Sequence, residues 1–142
     1  MSKSIEHKLN LSTLALSLAD STLNDYYTMF DFEKLTVYSH AKDFNKKVNH
    51  FLVSNKQDRT TTDQLRRASF SIMLNIAEGS GRYTQKDKRN FYVISRGSAF
   101  ECVAIFDYLK DIGTITESEF AKFYSDLDEI SRMLFSMIKH LS

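Results

Sequence analysis

The chain has 142 residues and 16.5 kDa, with 42% hydrophobic and 26% charged residues, which suffices for one domain with its own core and excludes intrinsic disorder. A formal net charge of +1 argues against a strongly nucleic-acid-seeking protein, and a single cysteine, Cys102, excludes an internal disulfide and fits a reducing compartment, so the cytoplasm is the expected location. With no proline and four glycines, helices can run long without breakers, which is the composition of an all-α protein.

Residues 1–30 read as an N-terminal extension with a short helix from about Ile5 to Leu23. Asn10, Ser12, Thr13, Ser17 and Asp20 interrupt its apolar residues, so no stretch approaches the ~20 residues of a membrane span. The segment is expected to dock on the body or on a partner, and Tyr26, Tyr27, Met29, Phe30 and Phe32 form an apolar cluster that needs cover.

Residues 31–142 are expected to form an antiparallel up-and-down four-helix bundle. The first helix starts near Asp31 to Lys34 and carries Leu35, Tyr38, Ala41, Phe44, Val48, Phe51 and Leu52 at spacings of three and four. The polar run Ser54 to Thr62 is the most loop-like part of the chain, with Thr62 or Asp63 as the next cap. The second helix is predicted from about Asp63 to Glu78, with Leu65, Ala68, Ser69, Ile72, Ile76 and Ala77 inward and Gly79 as its stop. The third opens on Thr84 with Asp87 three places on, and runs through Phe91, Ile94, Ser98, Cys102, Ile105, Leu109 and Ile112 to Gly113. Thr116 opens the fourth, which carries Phe120, Phe123, Leu127, Ile130, Leu134, Met137, Ile138 and Leu141. Short connections near 80–84 and 113–116 make neighbouring helices antiparallel.

Charge is uneven along this scaffold. Residues 56–96 hold nine basic and four acidic side chains, whereas residues 97–142 hold four basic and eight acidic. His7, His40, His50 and His140 are too scattered for a local metal motif, and Cys102 has no nearby thiol, so neither metal nor cofactor is expected. Glu101 stands among the apolar positions of the third helix with Arg66, Arg67 and Arg96 as candidate partners. A functional acid in a cleft is weighed there against a buried or half-buried structural ion pair, and the ion pair is preferred. The turn Glu78-Gly79-Ser80-Gly81-Arg82 has the outline of an anion cradle but lacks the Gly-Lys-Ser/Thr ending of a P-loop. It reads as a helix cap and tight turn whose Arg82, with Lys86, Lys88 and Arg89, is the candidate nucleic-acid-binding edge. Gly97, Ser98 and Ala99 cost helix propensity, and the close approach of another helix, within the bundle or from a second subunit, is preferred there over a hinge.

These blocks carry a resemblance. Phe32-Glu33-Lys34-Leu35-Thr36-Val37-Tyr38, Gln64-Leu65-Arg66-Arg67-Ala68, Asn75-Ile76-Ala77-Glu78-Gly79 and Arg96-Gly97-Ser98-Ala99-Phe100-Glu101 resemble the 23S rRNA intervening-sequence protein family over about residues 31 to 141. The resemblance implies a bacterial four-helix bundle assembled as a ring-like homopentamer, and similarity to the accessory protein of diversity-generating retroelements, which binds nucleic acid and a reverse transcriptase. It implies no established enzyme activity. Two functions follow as expectations. The first is a non-enzymatic oligomeric accessory protein that contacts RNA or DNA through the basic edge. The second is a scaffold that binds a partner protein such as a reverse transcriptase.

Overall fold

Side-chain caps decide where three of the four helices begin. In the computed structural model, residues 30–142 are described; the expected helix from Ile5 to Leu23, the residues Tyr26, Tyr27 and Met29, and the extension assigned to 1–30 up to its last residue lie outside them. Residues Phe32–Ser142 make one compact unit. A 3-10 turn, Asp31–Lys34, leads into α1 (Thr36–Ser54), which has no side-chain cap and instead continues from the turn through the bond from Leu35 N to Phe32 O at 3.0 Å.

Helix α2 (Arg59–Ser80) starts a turn earlier than the polar run predicts. Asp58, rather than Thr62 or Asp63, is its cap, accepting from Thr61 N at 2.9 Å. Bonds from the Thr61 hydroxyl and backbone hold the Asp58 carboxyl below its ordinary pKa of 3.8. Helix α3 (Gln85–Asp111) is capped by Thr84, which accepts from Asp87 N at 3.1 Å, and its 27 residues span about 40 Å. Helix α4 (Glu117–His140) opens with a reciprocal capping box: Glu119 N donates to the Thr116 hydroxyl at 3.1 Å, and Thr116 N to the Glu119 carboxylate at 2.8 Å.

Each helix packs on its neighbours in the order α1, α2, α3, α4 and back to α1, and the diagonal pair α1 and α3 meets through side chains, Phe106 lying edge-on to Phe44 and Phe51. With short connections this is an antiparallel up-and-down four-helix bundle. The core holds Phe44, Val48, Leu65, Ile72, Ile76, Cys102, Phe106, Leu109, Leu127, Ile130 and Leu134, all essentially inaccessible.

Helix α3 departs most from its predicted face. Tyr92, Ser95, Ala99 and Phe106 are buried, whereas Ile94 and Ile112 are more than half exposed. Hydroxyl chemistry explains the shift. Ser95 Oγ donates to Ile72 O at 2.7 Å and Ser98 Oγ to Ser71 Oγ at 2.8 Å, so two small polar residues sit inward satisfied while the bulkier Ile94 points out.

The glycines also change roles. Gly79 does not stop α2, which continues to Ser80 and is capped by Gly81 in ordinary right-handed geometry. It is buried because α3 lies against it: a Cβ there would stand 2.8 Å from Tyr92 Cε1 and 3.0 Å from Phe91 Cβ. Gly113, at φ 79°, is the left-handed position that ends α3, with Thr114 N donating to Leu109 O at 2.9 Å and Gly113 N to Lys110 O at 3.0 Å. Gly97 is exposed, and a Cβ there would meet nothing within 4 Å, so close packing inside the protomer does not require it.

Candidate functional site

The antiparallel order brings the start of α1, the turn between α2 and α3, and the end of α4 to one end of the bundle. Arg82, Lys86, Lys88 and Arg89 lie there, and they hold different positions. Arg82 forms an i,i+4 ion pair with Glu78 and lies over the Phe91 ring, 4.4 Å from its centroid. Lys88 donates to Ser80 O at 3.2 Å, satisfying a terminal carbonyl of α2. Arg89 Nε donates to Ser142 Oγ at 3.2 Å. Lys86 is exposed.

The bond from Arg89 to Ser142 shows what sequence reasoning missed. It draws the C-terminus of the chain to this end, so Lys139 and His140, both exposed in the last turn of α4, join the basic group. The basic side chains in the last turn of α4 were the available signal, but their place beside residues 82–89 exists only after folding. The opposite end mixes signs: Asp58, Asp63, Asp107, Asp111, Glu117 and Glu119 lie at or near the helix termini together with Lys56, Arg59, Lys110 and Lys122.

The glycine turn is not an anion cradle. Gly81 N bonds Ala77 O and Glu78 O, and Arg82 N bonds Gly79 O at 3.2 Å, so its backbone donors close α2 rather than facing outward. The attraction this end can offer an anion is therefore side-chain charge.

Of the arginines considered for Glu101, Arg67 alone reaches it. The contact is loose, 3.7 Å between Arg67 Nη2 and Glu101 Oε1, and both side chains are more than half exposed, so the pairing is a surface one with little energetic weight. Arg67 also bonds Gln64 Oε1 at 2.9 Å, and Arg66 is exposed. Arg96 is elsewhere, its guanidinium carbon 4.8 Å from the Phe100 centroid and 5.4 Å from that of Phe135. It lines an apolar groove between α3 and α4 of about 550 Å³, together with Phe100, Tyr124 and Phe135.

Burial, with the Glu101 charge adding to it, pushes the Cys102 thiol up to about 12, which makes it a poor nucleophile. Among the described residues no three His, Cys, Asp or Glu side chains are grouped to hold a metal, and no helix is long and apolar enough to cross a membrane.

The family described as 23S rRNA-intervening sequence protein matches residues 33–136. Among solved structures, the chain is similar to a protein with unknown function from the S23 ribosomal protein family of Bacteroides thetaiotaomicron. The two share 25% identity with a TM-score of 0.69, over 73% of this chain and 99% of that one. No curated protein matches the chain.

Proposed function

The chain belongs to the 23S rRNA-intervening sequence protein family, and from that premise we propose that it is a non-enzymatic, homo-oligomeric accessory protein that binds RNA or DNA through the basic end of its bundle. The observation that carries this reading is the gathering of Arg82, Lys86, Lys88, Arg89, Lys139 and His140 from three segments at one end of the bundle. Phosphate attraction of this kind is sequence-independent and released by salt. A cytoplasmic bacterial homopentamer is the assembly that the family resemblance supports, and it would repeat the basic end around a ring.

The test separates contact from fold. Lys88 and Arg89 hold helix ends, so Lys86→Glu with Lys139→Glu is the cleaner variant. Fluorescence anisotropy with structured RNA and duplex DNA should give affinity that falls steeply with salt. Losing two phosphate contacts should reduce the slope of log K against log salt by about 2 and leave oligomer mass unchanged. No binding by the wild-type protein at low salt sinks the proposal.

The groove between α3 and α4 favours a second reading, in which the protein is a scaffold for a partner protein such as a reverse transcriptase. Half-exposed aromatic rings are the surface such a partner would bury. Capture of a purified partner by a variant that has lost nucleic-acid affinity would favour it.

A further inference from the structure

Two outward surfaces of the same protomer are complementary to each other. The first is the groove between α3 and α4, where Phe100, Tyr124 and Phe135 are about half exposed. Arg96 lies at one end over two aromatic rings, and its Nε is shielded from water without a hydrogen-bond partner. Asp107, eleven positions along α3 and so about 16 Å away, lines the other end.

The second surface is the outer stripe of α2. Arg67, Phe70, Leu74 and Glu78 follow at spacings of three, four and four, which places them on one side of the helix. Phe70 and Leu74 are 48% and 52% exposed. Arg67 and Glu78 are again eleven positions apart, about 16 Å.

We infer that a second copy of this chain lays its α2 stripe antiparallel into the α3/α4 groove. Glu78 then faces Arg96, Arg67 faces Asp107, and Phe70 and Leu74 cover Phe100, Tyr124 and Phe135. The direction follows from charge, since a parallel placement sets Arg67 on Arg96 and Glu78 on Asp107. Of the bonds these groups make within one protomer, Glu78 with Arg82 and Arg67 with Glu101 are exposed pairs of the kind that costs little to share or exchange, and Asp107 keeps an exposed carboxylate while Lys110 is partly buried. Because the two surfaces differ, the contact is head to tail, and each added copy offers a fresh stripe and groove until a ring closes. This inference rests on the homo-oligomeric part of the proposed function and adds the surfaces, direction and ion pairs.

Sedimentation of the full chain tests it. Leu74→Glu spoils the stripe and Phe100→Glu the groove; each should reduce the oligomer to monomer while thermal melting stays cooperative. Mixing the two monomers should yield a one-to-one dimer that grows no further, since each retains the surface the other lacks. Glu78→Arg and Arg96→Glu should each weaken association about tenfold or more, and their combination should restore it, a readout that holds even where an apolar substitution impairs folding. An oligomeric wild type whose mass ignores all four substitutions overturns the inference and leaves the oligomer reading standing. A wild type that is monomeric at every concentration overturns both.

Discussion

The α2–α3 seam and the α1–α4 seam solve the same packing problem in opposite ways. Between α2 and α3, small residues let the backbones close in: Gly79 is buried against Tyr92 and Phe91, and the buried Ser95 and Ser98 hydroxyls bond across the seam. Between α1 and α4 the helices stand farther apart, with a groove of about 810 Å³ along them, and large rings fill the interior. Phe106 reaches in from α3 and stacks on Phe123 at 4.0 Å, with Phe51 edge-on to both at 5.8 and 5.6 Å. Polar pairs bridge the outside, the ion pair of Lys47 with Asp126 at 2.7 Å and the contact of His40 Nδ1 with Glu129 at 3.5 Å. The contrast teaches that tight contact here depends on what is absent at Cβ, and wide contact on what aromatic bulk can reach.

Five substitutions probe that contrast. Phe106→Ala removes the ring shared by the aromatic seam and should cost about 3–5 kcal/mol in urea unfolding; a loss below about 1 kcal/mol would mean the seam collapses to refill the space. Gly79→Ala should destabilise by about 1–2 kcal/mol, because overpacking against buried Tyr92 outweighs the ~1 kcal/mol of helix propensity that alanine gains. The same change at Gly97, where nothing meets the new methyl, should raise the monomer's stability by about 0.5–1 kcal/mol. Equal signs at the two glycines would break the close-packing account. Ser95→Ala loses one buried hydrogen bond whose acceptor, Ile72 O, lies within a helix, so thermal melting should register about 1 kcal/mol. Lys47→Ala should cost at most about 1 kcal/mol, shrinking with added salt, and a larger salt-insensitive loss would place more of the wide seam's strength outside it.

How far the chain could be read depended on whether the signal was local. Thr84 and Thr116 were legible as caps because the hydroxyl, the helix start and the acidic partner three residues on all lie within one turn. Asp58 was missed because a polar run of nine residues holds several possible caps and only the helix geometry selects among them. The inner face of α4 was predicted well, as aromatic and aliphatic residues mark it without competition. The first half of α3 was not: Phe91, Tyr92, Val93 and Ile94 are four consecutive apolar residues, and periodicity could not say that the serine at 95 would turn inward. Likewise, Arg82, Lys86, Lys88 and Arg89 were visible as a basic edge, but their separate bonds, and the arrival of Lys139 beside them, required the fold.

By itself, the sequence determined an all-helical chain, the starts of α3 and α4, the stop at Gly113 and the family, because those depend on residues within a few positions of one another. The tertiary structure decided which face of α3 is buried, why Gly79 has no side chain, that Glu101 is on the surface, and which charges share an end. Each of these depends on how closely a second helix approaches, a distance that no run of neighbouring residues encodes.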